Sequence, residues 1–293
     1  MPTSPPAPAP PPGYVSARVE RRLDVADDLA VLWLRPSEPV AFLPGQYLTL
    51  AAPGADGRVV KRPYSVVSAP HEPLVELVVE LVPEGALTPL LWPLGPGDGV
   101  WVRRRAAGRF LLDPERSRHV MACTVTGVAP FLSMLRAHVA AGGAAGDRFL
   151  VVWGASHASE FGPYREELAA LASRDDVEAV ATVSRPWENP GWGGEVGRVE
   201  DVLRKHLDRL GWAAADVAGY ACGHPQMVQT VQGLLRRAGV AEGHVHEEVF
   251  FTEGGAEAAP PETTPPDAVP DPPLPSRPPG APGGVVLKTV RRP

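Results

Sequence analysis

Over the first hundred or so positions, apolar and polar residues alternate in short runs. That two-residue period is what a half-buried strand requires. It predicts strands at Val15–Leu23, Ala30–Leu34, Gln46–Ala51, Val59–Ser68, Val75–Val82 and Gly99–Arg103. Pro44-Gly45, Pro53-Gly54 and Gly95-Pro96-Gly97-Asp98 separate them as turn signals. Six short strands in succession predict a closed antiparallel β-barrel. From about Arg116 the rhythm changes. Apolar strand runs at His119–Thr124, Arg148–Gly154, Val177–Ser184, Ala218–Cys222 and Val245–Phe250 alternate with helical patterns at Pro130–Ala140, Phe161–Ala172, Val199–Leu210 and Pro225–Ala238. Strands alternating with helices predict an α/β domain built on a parallel sheet with helices on both faces. The switch falls between Asp113 and Arg118, so the expected domains are residues 14–114 and 115–252.

Composition changes this picture chiefly at the ends. Proline is abundant, at 36 of 293 residues, and it gathers in residues 1–13 and 253–293. Such segments bury too little apolar surface to offset their chain entropy, so both termini are expected to be disordered, extended and partly polyproline II. The run Val285-Val286-Leu287-Lys288-Thr289-Val290-Arg291-Arg292 is either a short strand or docking peptide, or part of that disorder, and the tail is a candidate for binding a partner groove. A net charge of −6 excludes the basic surface that nucleic acid demands. No apolar run reaches the roughly 18 residues of a membrane span, and the N-terminus lacks the pattern of a signal peptide, so the expectation is a cytoplasmic protein. Two cysteines, Cys123 and Cys222, are too few for an iron–sulfur cluster, which needs about four ligands. A disulfide between them is not expected in that compartment. The eight histidines show no metal-ligand spacing, and no metal site is expected.

Four segments carry candidate chemistry. In Arg62-Pro63-Tyr64-Ser65, strand alternation puts Arg62 and Tyr64 on one face and Ser65 on the other. A guanidinium grips a pyrophosphate and a phenol ring covers a planar heterocycle, which together suggest a flavin-dinucleotide site. In Gly85-Ala86-Leu87-Thr88, a strand enters a short apolar helix through a glycine, leaving backbone N–H groups for phosphate and adding a hydroxyl. The stretch Met121 to Leu135 runs strand, Thr126-Gly127 turn, helix, the phosphate cradle of a nucleotide-binding α/β domain. Finally Gly219 to Val228 feeds a strand into a helix with Cys222 at the strand's carboxyl end, where parallel sheets bind ligands.

Taken in order, these segments resemble the ferredoxin–NADP reductase family, most of all its bacterial branch, over about Tyr14 to Phe251. The family's Arg-x-Tyr-Ser run stands here as Arg62, Pro63, Tyr64, Ser65, and its Gly-x-x-Ser/Thr as Gly85, Ala86, Leu87, Thr88. Pro44-Gly45-Gln46-Tyr47, Thr126-Gly127-Val128-Ala129-Pro130 and Cys222-Gly223-His224-Pro225-Gln226-Met227 match three further family motifs. The resemblance implies an FAD-dependent reductase passing electrons between NADPH and a separate ferredoxin or flavodoxin. It implies that Tyr64 stacks on the isoalloxazine, Arg62 pairs with the FAD pyrophosphate, Ser65 hydrogen-bonds near flavin N5, and Gly85, Ala86 and Thr88 hold phosphate. It further implies that Thr126 and Gly127 underlie the pyrophosphate of NADP(H), that Cys222 and Gly223 sit at the nicotinamide, and that Ser184, Arg185 and Arg198 grip the 2′-phosphate. Glu247 or Glu248 would relay a proton and Phe250 or Phe251 would cover part of the flavin. Glu248 joins Tyr64, Ser65 and Cys222 in the expected catalytic set.

Two departures stand out. Bacterial relatives often carry a third arginine after the preceding strand, where this chain has Ser156 or His157. The family usually has glycine before the Thr-Gly pair, where this chain has Val125. A β-branched residue resists positive φ and would project toward the phosphates, so either the turn changes shape or the nucleotide binds more loosely. Two alternatives therefore stand beside the first: the reductase component of a multicomponent oxygenase, and a flavin-binding interaction protein with little or no turnover.

Overall fold

The computed structural model describes residues 9–54, 56–143 and 146–250. The expectations for residues 1–8 and 251–293, Phe251 among them, lie outside the described residues. The first half is antiparallel: β1 (Tyr14–Ala26), β2 (Leu29–Pro36), β3 (Tyr47–Pro53), β4 (Val59–Ser65), β5 (Val75–Glu80) and β6 (Gly99–Arg103), in the order β4-β3-β6-β1-β2-β5. The outer strands meet beyond β4, where Val66 bridges to Leu77 and the Val67 N–H donates to the Glu76 carbonyl at 2.9 Å. That closure turns the sheet into a barrel and removes its free edges. Alternate residues point inward, so Val15, Val19, Leu32, Leu34, Leu48, Leu50, Leu77 and Val102 form a buried core. The single-turn helix α1 (Thr88–Leu91) adds Leu87 and Leu91 to that core.

The second half is a parallel sheet of β7 (Arg118–Thr124), β8 (Arg148–Ala155), β9 (Val177–Val183), β10 (Glu195–Val196), β11 (Val217–Gly223) and β12 (Val245–Val249), in the order β10-β9-β8-β7-β11-β12. Helices α2 (Ala129–Ala140) and α3 (Tyr164–Leu171) pack on one face, and α4 (Val199–Leu210) and α5 (Pro225–Arg237) on the other. Strands β7, β8 and β11 are buried on both sides, which is why they read as continuous apolar runs. Two details differ from the sequence reading. The two-residue β10 is too short to leave a pattern. The helix expected from Phe161 begins at Tyr164, because Gly162 turns at φ 51° after a 3₁₀ turn, Ala158–Phe161, and abuts Val25 of β1.

The two halves share a core. Val31, Val67 and Phe110 belong to the same buried cluster as Phe131, Met134 and Leu135 of α2. At Gly45 a Cβ would collide with the Phe110 carbonyl and the Met134 methyl. Ser133 on α2 donates to the Ser68 carbonyl at 2.8 Å. Arg136, one helical turn from Leu132, joins Glu76 (2.6 Å) and Glu72 (3.3 Å) of the first half to Glu167 (2.6 Å) of α3, and Tyr164 donates to Glu76 at 2.8 Å. The connection between the halves is tied down as well: Asp113 accepts from His244 at 2.7 Å and from His246 at 3.3 Å, while its own N–H donates to the Tyr220 hydroxyl.

Candidate functional site

The carboxyl end of β4 faces the edge of the parallel sheet. Arg62 and Tyr64 are half-buried on one face and Ser65 is buried on the other, as alternation requires. Tyr64 packs against the barrel core, and burial pushes its phenol well above the usual range against the opposing charge of Arg62. The ring is therefore neutral at ordinary pH. From the opposite face, the Ser65 hydroxyl donates to Glu248 on β12, a hydrogen bond between residues 183 apart in the chain. Glu248 pairs in register with Cys222 on β11, and Cys222 with Cys123 on β7. Ser65, Glu248 and Cys222, all in the expected catalytic set, thus meet where the two halves join.

The electrostatics of this meeting are specific. Burial raises the Glu248 carboxyl to about 7, with the Ser65 hydrogen bond pulling the other way. Burial also pushes the Cys222 thiol well up, with Glu248 and then Cys123 adding to it. A thiol so placed stays protonated, so Cys222 is a compact apolar contact rather than a nucleophile. Between the two glutamates left open by the sequence, Glu247 points outward and accepts from Gln232 of α5 at 2.6 Å, which leaves Glu248 at the site. Phe250 follows β12, packs against the shared core and donates its N–H to the Gly223 carbonyl at 3.0 Å.

Beside this meeting, two turns pack backbone on backbone. β7 leads through a 3₁₀ turn, Val125–Val128, into α2, and β11 leads into α5. A Cβ at Gly127 would lie 2.8 Å from the Cys222 carbonyl carbon, and one at Gly223, where φ is 124°, would collide with Thr124. The His224 N–H donates to the Thr124 hydroxyl at 3.1 Å, and His224 Nδ1 caps α5 by accepting from Gln226. Two helix N-termini thereby converge at the carboxyl ends of adjacent parallel strands, with only glycine between them. That geometry fits a nucleotide pyrophosphate. Among the described residues, Val125 is the non-glycine residue at positive φ, 41°. It holds the left-handed conformation despite its branching. Its side chain packs half-buried against the core, and its carbonyl accepts from Trp153 Nε1 at 2.9 Å.

The remaining predicted residues fall into two groups. At the flavin-side turn, Gly85 has no room for a Cβ, which would sit 2.9 Å from the Val82 carbonyl. The Thr88 hydroxyl donates to that carbonyl at 2.9 Å and accepts from the Val82 N–H at 3.0 Å, so its proton shapes the turn around Ala86 and is not directed at a phosphate. At the carboxyl end of β9, the Gly197 N–H donates to the Val183 carbonyl at 3.0 Å and Thr182 donates to the Gly197 carbonyl at 2.8 Å. These bonds bring Arg198, at the start of α4, alongside Ser184 and Arg185. Sequence reasoning missed two residues here. Asn189 is buried and laces the loops after β8 and β9, donating to the carbonyls of Ser156 and Arg185 and accepting from the Ala158 N–H. Glu188 pairs with Arg185. Neither sits in a periodic pattern that would have marked it. Among the described residues one grouping of possible metal donors exists, Asp113, Glu115 and His244, but Arg116 lies against the second ring nitrogen of His244 and competes with a cation there. No helix among the described residues is long and apolar enough to cross a membrane.

Two family models match separate stretches of the chain. Residues 16–110 match the oxidoreductase FAD-binding domain family and residues 121–233 the oxidoreductase NAD-binding domain family. Ferredoxin–NADP reductase B of Sorangium cellulosum is 37% identical over 218 residues, 71% of this chain and 85% of its own. The reductase component of the naphthalene 1,2-dioxygenase/salicylate 5-hydroxylase systems of a Ralstonia species is 28% identical, over 79% of this chain and 67% of its own. The phenol 2-monooxygenase reductase component of a Pseudomonas species is 29% identical over 84% and 68%. A ferredoxin NADP⁺ reductase from Neisseria gonorrhoeae, solved with bound FAD and NADP, shares the fold at a TM-score of 0.71 and 22% identity, covering 82% of this chain and 99% of that one.

Proposed function

The chain belongs to the ferredoxin–NADP reductase family, an FAD- and NAD(P)-binding oxidoreductase family, and from that premise we propose that it passes electrons between NADPH and a separate ferredoxin or flavodoxin. The observation that carries this reading is the Ser65–Glu248 hydrogen bond, made where the antiparallel half of the chain meets the parallel-sheet half. Bound FAD would supply the exchange between a two-electron hydride donor and one-electron acceptors, which no side chain can perform. The residues do the rest. Tyr64 offers a neutral aromatic face and Arg62 a charge for the FAD pyrophosphate. Thr126, Gly127 and Gly223 let the nicotinamide nucleotide approach the backbone closely, and Cys222 fills the space at the end of β11 without reacting. Glu248, half-protonated near pH 7, can give or take a proton through the Ser65 hydroxyl. Catalysis on this account is mainly orientation of the bound groups.

A second reading, the reductase component of an oxygenase system, draws support from the two oxygenase-reductase relatives. It differs only in the acceptor, so copurification of an oxygenase rather than a ferredoxin or flavodoxin would select it. A third, a flavin-binding interaction protein, rests on the strained Val125. The test is anaerobic mixing of the purified yellow protein with NADPH and then NADH. Rapid bleaching of the flavin band is the expected result. A flavin bleached by neither nucleotide would refute the reductase reading and leave the binding module.

A further inference from the structure

The loop after β9 holds an arrangement that the reductase reading does not require. Within the 3₁₀ turn Pro186–Glu188, the Glu188 carboxylate gathers three donors. Arg185 Nη1 lies 3.3 Å from Oε2, His157 Nε2 lies 3.5 Å from the same oxygen, and Trp187 Nε1 donates to Oε1 at 3.1 Å. Arg185 and Glu188 come from the end of β9, while His157 comes from the loop after β8. The grouping is held from beneath by the next residue, buried Asn189, whose amide donates to Ser156 at 2.9 Å and to Arg185 at 2.8 Å. The three charged or titratable side chains stay open to a ligand, at 50% exposure for Arg185, 41% for His157 and 39% for Glu188. An open cleft of about 340 Å³, lined in part by His157, Glu188, Asn189 and Trp192, lies alongside.

We propose that Glu188 is a coenzyme-specificity residue, its carboxylate occupying the anion position on Arg185 and His157 that a 2′-phosphate would take, so that the protein discriminates only weakly between NADPH and NADH. The proposal rests on the reading of this loop as the adenosine-ribose end of the nicotinamide-nucleotide site. A 2′-phosphate arriving there must displace a carboxylate already paired with the guanidinium, and the displaced charge remains close by. Like charges juxtaposed at a binding surface select against the wrong partner. A ribose 2′-hydroxyl meets the opposite situation, since it donates and a carboxylate accepts. One side chain therefore penalises the phosphate and rewards the hydroxyl.

Calorimetric titration of the FAD-loaded protein with 2′,5′-ADP and with 5′-AMP reads the two terms without turnover. In wild type the two ligands should bind within about tenfold of each other. Glu188→Gln keeps the shape, frees Arg185 and should shift the affinity ratio toward 2′,5′-ADP by about tenfold. Adding Arg185→Ala to that variant should abolish the shift, which identifies the guanidinium as the freed partner. Thermal melts of each variant check that the exposed substitutions leave the fold intact. Binding of both ligands with an unchanged ratio in Glu188→Gln would overturn the role of Glu188 while sparing the nucleotide site. Binding of neither ligand to any form would overturn both.

Discussion

Glu248 should make the protein less stable as the pH rises, and its removal should show this directly. The carboxyl titrates at about 7 in the fold against 4.5 ordinarily, because burial disfavours its charged form more than the Ser65 hydrogen bond favours it. Below pH 4.5 it is protonated in folded and unfolded chains alike, and the contribution to stability is fully present. Between 4.5 and 7 the unfolded chain has released the proton and the folded chain retains it, so stability falls as pH rises. Above 7 both states are ionised and the loss is complete, at about 3 kcal/mol when each pH unit is worth about 1.4 kcal/mol. Glu248→Gln keeps an oxygen that can accept from Ser65 and removes the titration. At pH 8 the variant should be up to about 3 kcal/mol more stable than wild type, a rise of roughly 6–10 °C in melting temperature for a protein of this size. At pH 4.5 the two should melt together. The assay is a calorimetric melt of both proteins, each saturated with FAD, across pH 4.5 to 8.5. A difference in melting temperature that is independent of pH, or a variant less stable at pH 8 than at pH 5 relative to wild type, would refute the assignment of a buried, neutral Glu248.

Val125→Gly should be nearly neutral for stability, within about 1 kcal/mol. Relief of left-handed strain at φ 41°, about 2 kcal/mol, offsets the lost burial and the added chain freedom. Val128→Gly, fully buried at ordinary φ one turn on, should cost more than about 3 kcal/mol in the same urea titration, and equal costs at the two positions would deny the strain. Arg136→Met should cost about 3 kcal/mol or more by urea titration, since it strands Glu76, 5% exposed, without its cation; a loss under about 1 kcal/mol would mean the three carboxylates are neutral or hydrated.

How much of this was legible beforehand depends on the range over which each feature acts. The strand and helix patterns were readable because each position's burial leaves a mark within a few residues of itself. Gly85, Gly127 and Gly223 were readable for a related reason: the close approaches they permit occur at turns that punctuate the sequence. Val125 was visible as an anomaly, yet its outcome was not. Its side chain turns into the core while its backbone holds the left-handed form, which requires Trp153 and the packing beneath it. The Thr88 hydroxyl looked available for a ligand and is instead engaged by Val82, six residues back.

The sequence by itself determined the order of elements, the change from a two-residue to a βα rhythm near Arg116, and the local turns that suit phosphates. Only the tertiary structure decided that Glu248 and not Glu247 meets Ser65, that Cys222 lies beside that pair as a protonated thiol, and that Glu188 covers Arg185. Alternation along β12 puts the two glutamates on opposite faces without saying which face the barrel will meet. That choice follows from the docking of α2 and β12 onto the barrel through Ser133, Arg136 and the shared apolar core. Contacts so far apart in the chain leave no periodic trace in either partner.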